Sequence, residues 1–180
     1  MEKFFFFIIA TLACSFTLVG SVYDFRITNI DGTDYSLSNY QGRKLLLIVL
    51  PSTQTTSDSA LLQMMDSMSL EFGDSITIVG IPSYEDGYQD DSLQSLSAWY
   101  KSLAGDSVVL VQGMNTRKNS PYQNELFAYL TDKDLNGHFD EDVPGAGTKY
   151  FIDSRGFLYA VIGPEINLSE ELMQKLLLQQ

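Results

Sequence analysis

The chain has 180 residues, of which 44% are hydrophobic and 19% are charged, and its formal net charge at pH 7 is −12. This length and composition predict one globular domain with a sizeable hydrophobic core. The negative charge argues against nucleic acid as a partner and against attraction to anionic membrane surfaces.

The first 21 residues, MEKFFFFIIATLACSFTLVGS, have the pattern of a targeting segment. A lysine at position 3 precedes an apolar run, and Gly20 and Ser21 supply the small residues typical of a cleavage site. We therefore predict a signal peptide over residues 1–21, a mature domain over 22–180 and a secreted or periplasmic protein. Two alternatives remain: an uncleaved membrane anchor, and a lipid anchor through Cys14, because TLAC resembles a bacterial lipoprotein box. No membrane association is expected unless Cys14 is lipidated.

The cysteine count limits the chemistry of the mature domain. Cys14 is the only cysteine of the chain. Cleavage after it leaves no cysteine, which excludes a disulfide, a thiolate nucleophile and a cysteine-based metal site.

Strand and helix patterns alternate along the rest of the chain. In order, they predict a hairpin around Asp31-Gly32, a buried strand in KLLLIVLP, a helix over 58–72, a strand in SITIVGIP, a helix in DSLQSLSAWYKSLAG, a strand in SVVLVQG, a helix in SPYQNELFAYL, a hairpin of TKYFID and FLYAVIG, and a last helix in SEELMQKLLLQQ. Pro121 is expected in the first turn of its helix, and Ser169 is expected to cap the last one. This order predicts an α/β fold with a mixed sheet.

Several phrases together resemble the glutathione peroxidases. SVYDF, the IDG turn and YSLSNYQGRKLLLIV are similar to the opening of that family, and ITIVGIP, NELFAYL and TKYFIDSRG are similar to later segments. The resemblance runs from Ser21 to the last helix. It implies a thioredoxin-like fold of the glutathione-peroxidase type, with a central mixed sheet flanked by helices.

The resemblance also implies where the catalytic residues of that family would lie. Those enzymes use a selenocysteine or cysteine nucleophile together with a Gln, a Trp and an Asn. The corresponding positions here hold Gln54, Glu85, Gly145 and Ala146. A Gln amide does not attack peroxides, because the reaction needs an ionised, polarisable nucleophile. We therefore expect no catalytic residues and no peroxidase activity.

Two classes of function follow. The first is a binding or structural module, for a protein or small-molecule partner that the sequence does not identify. The second is an enzyme: a thiol- or selenol-dependent peroxidase if residue 54 is a misassigned selenocysteine, or a hydrolytic activity in which Glu85 and Asp86 act as acid and base.

The segment DKDLNGHFDEDV, residues 132–143, matches the calcium-loop pattern D-x-[DN]-x-[DN]-G. The predicted metal ligands are Asp132, Asp134, Asn136, His138 through its backbone carbonyl, and Asp140. Val143 stands where the bidentate Glu normally lies, so weak calcium binding of about 10⁻⁴ M is predicted. The alternative is an ordinary acidic turn, since Asp, Asn and Gly favour turns in any case. No other cofactor is expected.

Overall fold

The computed structural model describes residues 20–90 and 93–178, so the predicted targeting segment lies almost wholly outside the described residues. The strands are β1 (Arg26–Thr28), β2 (Asp34–Ser36), β3 (Lys44–Leu50), β4 (Ile76–Pro82), β5 (Val109–Leu110), β6 (Lys149–Ile152) and β7 (Leu158–Ile162). The helices are α1 (Thr56–Phe72), α2 (Leu93–Ala104), α3 (Glu125–Thr131), α4 (Lys133–Asn136) and α5 (Glu170–Leu178). None of the helices in these ranges is both long enough and apolar enough to cross a bilayer.

The main sheet is mixed, as the sequence predicts. Its strand order is β5-β4-β3-β6-β7, and a separate hairpin pairs β1 with β2. Strand β4 pairs in parallel with β3 and with β5, whereas β6 is antiparallel to both β3 and β7. The α/β fold with a central mixed sheet is therefore confirmed.

Strand β3 lies at the centre of the sheet because its sequence is apolar on both sides. Six consecutive residues, from Leu45 to Leu50, are fully buried. Runs of Leu, Ile and Val without alternation are typical of a strand that is covered on both faces. Helices α1, α2 and α5 contribute to the core on one face of β3, while α3 and the β1–β2 hairpin contribute to the core on the other.

Two element predictions are wrong in detail. Helix α3 starts at Glu125, not near Pro121, because the Asn124 side chain accepts a hydrogen bond from the Leu126 backbone amide and caps the helix there. The segment before it forms a turn, closed by the bond from the Gln123 amide to the Ser120 carbonyl. Strand β5 is only two residues long, and the chain after it divides its backbone bonds: the Gln112 amide donates to Thr28 of β1, and the Met114 amide donates to Pro82 of β4.

The junction between the predicted leader and the domain is tied to the fold. Ser21 caps a 3₁₀ turn over Val22–Asp24, and its backbone amide bonds the Asp24 carboxylate at 2.9 Å. The Val22 amide donates to the Gly156 carbonyl in the β6–β7 turn, and the Val22 side chain is fully buried. The first residues after the predicted cleavage site therefore belong to the core.

Candidate functional site at the carboxyl ends of the parallel strands

The candidate site is the edge where β3, β4 and β5 end. In open α/β sheets, ligands bind outside the carboxyl ends of the strands. Here the loop after β4 is held to the segment after β5 by a bridge between Ser83 and Met114. The turn before β6 is held to the end of β3, since Gly147 donates to the Val49 carbonyl at 2.7 Å. The loops that carry the predicted site positions thus meet at one edge.

Gln54 lies in the turn between β3 and α1 and has a left-handed backbone, with φ of 55°. It is the only residue other than glycine with a positive φ in the described part of the chain. This conformation is strained for a side chain with a Cβ, and such strain is concentrated at functional positions. The structure therefore places Gln54 just before the helix N-terminus, at an exposed position.

The N-terminus of α1 is closed by a capping box. Thr55 accepts a hydrogen bond from the Asp58 backbone amide at 3.2 Å, and the Asp58 carboxylate accepts from the Thr55 amide at 2.9 Å and from the Thr53 hydroxyl at 2.6 Å. Partial burial raises the pKa of Asp58, but the hydrogen bonds from Thr53 and Thr55 outweigh it and hold that pKa below its ordinary value. A carboxylate thus occupies the electropositive end of the helix.

Tyr100 of α2 is hydrogen-bonded to the start of the same turn. Its hydroxyl donates to the Pro51 carbonyl at 2.8 Å, and the ring is fully buried. Burial raises the pKa of Tyr100 to about 12, so the hydroxyl remains a donor at any physiological pH.

Glu85, which the resemblance places at the Gln position, is a structural acceptor here. Its Oε2 accepts from the Thr116 backbone amide at 2.9 Å, and it also contacts the hydroxyls of Thr116 and Ser83 at 3.3 and 3.4 Å. Glu85 therefore joins the loop after β4 to the segment after β5. Asp86, which the sequence-based hypothesis pairs with Glu85 as acid and base, has a different partner in this structure.

That partner is Arg117, whose guanidinium lies 3.4 Å from the Asp86 carboxylate. Within the described residues, Asp86 Oδ2 and Arg117 Nε are buried without a hydrogen-bond partner. A Cβ built on Gly145 would come within 3.7 Å of Asp86 and 4.0 Å of Arg117. The ion pair thus occupies the space beside Gly145, the position that the resemblance gives to Trp.

A groove of about 510 Å³ runs beside the turn, between α1 and the turn before β6. Pro51, Asp58 and Ala146 are among the residues that line it, so it includes one of the predicted site positions, Ala146. Lys149 also lines the groove, although only 1% of it is exposed. Its Nζ donates to the carbonyls of Gly163 and Ile166. Burial lowers the pKa of Lys149, partly offset by Glu165 nearby.

The acidic segment 132–143 forms a capped helical turn. Asp132 caps α4, whose last residue, Asn136, is buried. The Asn136 amide donates to the Tyr129 and Phe139 carbonyls, each at 2.9 Å.

The predicted ligands therefore do not converge in this structure. The Asp140 carboxylate is 2.6 Å from the Lys118 ammonium, and Asp134 and His138 are exposed. In the described part of the chain, no group of three His, Cys, Asp or Glu residues has the arrangement of a metal site. Calcium binding stays a prediction, and it would require Asn136 and Asp140 to leave their present partners.

Sequence reasoning missed three residues of this edge. Tyr100 has a detectable signal, because it lies four residues after Leu96 on the apolar face of α2. Thr116 and Arg117 have none, since they lie in an irregular segment and their partners are about 30 residues away in sequence.

The sequence of the chain is similar to those of two glutathione peroxidase proteins. The chain is 24% identical over 166 residues to glutathione peroxidase 1 of Caenorhabditis elegans, covering 88% of this chain and 100% of that protein. It is 26% identical over 162 residues to the glutathione peroxidase homologue BsaA of Staphylococcus epidermidis, covering 87% and 99% respectively. No protein-family model matches.

The fold is similar to solved structures of a glutathione peroxidase and of a thioredoxin-family protein. The T. cruzi GPX1 crystal structure superposes with a TM-score of 0.65 and 16% identity, over 88% of this chain and 95% of that one. A thiol:disulfide interchange protein of the thioredoxin family from Chlorobium tepidum gives a TM-score of 0.59 and 19% identity, over 85% and 90%. The chain is thus similar to glutathione peroxidases over most of its length, and its fold is thioredoxin-like.

Proposed function

We propose that this protein is an extracytoplasmic member of the glutathione peroxidase family that has lost peroxidase activity and acts as a binding or structural module. The observation that carries the proposal is the strand-to-helix turn. The resemblance gives the nucleophile's position to Gln54, and the only cysteine, Cys14, lies in the predicted leader. The glutathione peroxidase relatives support descent from a redox scaffold, and the residues of the turn support the loss of its reaction.

Three features of the site support a loss that goes beyond one residue. An amide cannot form the anion that attacks a peroxide. The Asp58 carboxylate at the helix N-terminus opposes any anion that would form at residue 54. Glu85 and the Arg117–Asp86 pair bind the loops to each other, while Asp86 Oδ2 and Arg117 Nε have no hydrogen-bond partner among the described residues. The edge is thus held by structural contacts, with a groove beside it.

The extracytoplasmic location rests on the sequence of residues 1–21, with its apolar run and small residues at the end. A lipid anchor at Cys14 is the alternative, and it would hold the domain on a membrane surface. Intact-mass spectrometry of the natively produced protein distinguishes the two, because cleavage after Gly20 or Ser21 and lipidation of Cys14 give different masses.

The same mass identifies residue 54 and so tests the proposal. A mass that fits Gln54, combined with no hydrogen peroxide consumption above buffer in the presence of glutathione or thioredoxin, is the expected result. A mass that fits selenocysteine or cysteine at position 54, or turnover with either reductant, would overturn it.

A selenol- or thiol-dependent peroxidase is the second candidate. The left-handed backbone of Gln54 favours it, because a strained residue at this turn is a feature of functional positions. This candidate requires that residue 54 be misassigned, and a mass that fits Gln54 in the measurement above would exclude it.

Calcium binding by residues 132–143 is a separate proposal with a separate test. Thermal unfolding is measured with and without millimolar calcium on the parent chain and on Asp134→Ala, which removes an exposed carboxylate. A site predicts a calcium-dependent rise in Tm that Asp134→Ala reduces. An unchanged Tm in the parent chain would reduce the segment to an acidic turn.

A further inference from the structure

A second pocket lies on the opposite face of the sheet from α1. Its volume is about 410 Å³. Part of its wall is apolar and consists of Leu130 of α3, Phe139, Pro144 and Val161 of β7. Small-molecule sites have volumes from about 300 to 1,000 Å³, so this pocket is large enough for a short organic ligand.

Tyr150 of β6 provides the polar group inside this pocket. Only 2% of the residue is exposed, and its side chain lines the pocket. Its ring is held edge-on against Phe127, with centroids 6.0 Å apart. Within residues 20–90 and 93–178, the Tyr150 hydroxyl has no hydrogen-bond partner, although the hydroxyls of the buried Tyr23 and Tyr100 have one. The hydroxyl of the buried Tyr129 likewise lacks a partner within these ranges, but Tyr150 differs from it in lining the pocket, where its hydroxyl can bond a ligand.

Three carboxylates line the same pocket, from Glu141, Asp142 and Glu165. The Asp142 Oδ1 accepts from the backbone amides of Lys118 and Val143, and within the described residues its Oδ2 has no partner. Glu141 and Glu165 form no ion pair with any described residue. The mouth of the pocket thus carries negative charge that is not neutralised by a bonded cation.

The cations near the pocket have partners of their own. The Lys118 ammonium pairs with Asp140 at 2.6 Å, and the Arg117 guanidinium pairs with Asp86 at 3.4 Å. Lys149 directs its ammonium to backbone carbonyls beneath the turn after β7. A further cation at the pocket mouth would therefore be attracted by carboxylates without competing with an existing ion pair.

We propose that this pocket binds an organic cation, an ammonium or guanidinium group carried on an apolar stem. The stem lies against Leu130 and Val161, the charged end lies among the carboxylates, and the Tyr150 hydroxyl accepts one of its N–H groups. A bare metal ion fits less well, because part of the wall is apolar and the carboxylates do not form a metal-binding group within the described residues. The assignment does not depend on the identity of residue 54.

The test is a titration of the isotope-labelled protein with n-pentylammonium chloride, followed by two-dimensional NMR. We expect saturable shifts confined to residues of the pocket, with α1 and the β1–β2 hairpin unchanged. The isosteric probes n-pentanol and valerate should bind at least about tenfold more weakly, because the first lacks the charge and the second reverses it. Calcium chloride at the same ionic strength should not displace the amine.

Variants separate the site from general attraction to an acidic protein. Tyr150→Phe should weaken binding by about tenfold, the effect of losing one hydrogen bond to a charged group. The double variant Glu141→Gln/Glu165→Gln, which changes only exposed side chains, should weaken it by at least about fivefold. Glu71→Gln is the matched control, because it removes an exposed carboxylate of α1 far from the pocket, and it should leave binding unchanged.

The source of the cation is read from a second probe, a neutral-capped tripeptide with a central lysine. Binding of the peptide with the same residues shifted identifies a protein side chain as the ligand, and binding of pentylammonium alone identifies a free amine. Shifts spread over the whole acidic surface, equal affinity in the Glu141/Glu165 variant, or no binding by either probe would overturn the proposal.

Discussion

Replacing Gln54 with cysteine tests how far the turn has moved from thiol chemistry. The dipole of α1 should lower the pKa of a thiol at this position, whereas the Asp58 carboxylate should raise it. For a carboxylate about 6 Å away at an effective dielectric constant of about 40, the repulsion is about 1.4 kcal/mol, or about one pKa unit. We therefore expect the thiol of the Gln54→Cys variant to titrate near its ordinary pKa of about 8.5, because the two effects cancel.

Asp58→Asn should remove the opposing charge while it preserves a capping side chain. In the Gln54→Cys/Asp58→Asn protein, the thiol pKa should fall by about one unit. At pH 7 the thiolate fraction then rises about eightfold, but the lower intrinsic nucleophilicity leaves a rise of about threefold in alkylation rate. The assay is the pH profile of iodoacetamide alkylation, read by mass spectrometry on the peptide that contains residue 54, so that Cys14 does not interfere.

The control is Gln63→Cys, which places a thiol on an exposed part of the same helix, away from its N-terminus. Its midpoint should be unchanged by Asp58→Asn. If adding Asp58→Asn to Gln54→Cys moves the midpoint of the introduced thiol by less than about 0.3 unit, the carboxylate has no effect on the turn and the electrostatic reasoning is wrong.

Three further predictions concern the supports of the fold. Tyr100→Phe should lower the free energy of unfolding by about 1 kcal/mol and increase amide exchange around Pro51, read by urea unfolding and hydrogen exchange, because one buried hydrogen bond is lost. The Asp153 carboxylate accepts hydrogen bonds from the backbone amides of Arg155 and Phe157, and these bonds hold its pKa below the ordinary value although burial raises it. Asp153 therefore stabilises the fold above its unfolded pKa, and this stabilisation is lost as the pH falls through its folded pKa. Asp153→Asn should flatten this dependence of the unfolding free energy on pH at the acid side. Burial lowers the pKa of Lys149, so the free energy of unfolding of the parent chain should rise with pH between that lowered pKa and 10.5. Lys149→Met should lack this rise, which is read by subtracting its free energies of unfolding from those of the parent chain at each pH. Equal pH dependence in the two proteins would refute the prediction.

The sequence predicts most elements because their signals are local. The unbroken apolar run of β3 and the 55–58 cap of α1 each specify an element within a few residues, and the structure has both. The Ser169 cap is also confirmed, since its hydroxyl accepts from the Leu172 amide at 3.2 Å. The start of α3 is misplaced because Pro121 and Asn124 are both good start signals, and contacts elsewhere in the fold decide between them.

The site is harder to predict than the fold because its contacts are long-range. The positions of Gln54 and Glu85 follow from the resemblance, but the partners of Glu85 do not. Glu85 is exposed, and it is also a structural acceptor because of Thr116, which is 31 residues away in the sequence. Asn136 illustrates the same limit, since its place in a calcium-loop pattern does not indicate that its amide binds the backbone of the turn.

The hydrogen bonds and the burial at Ser21 and Val22 also limit when a leader could be removed. A peptidase that reads this junction must hold it as an extended strand in its own cleft, and the folded domain withholds it, because the Val22 amide is bonded to Gly156 and its side chain is in the core. If the leader predicted over residues 1–21 is removed at Gly20 or Ser21, we therefore expect the cut before the domain folds. A chain that folds first would then keep that leader.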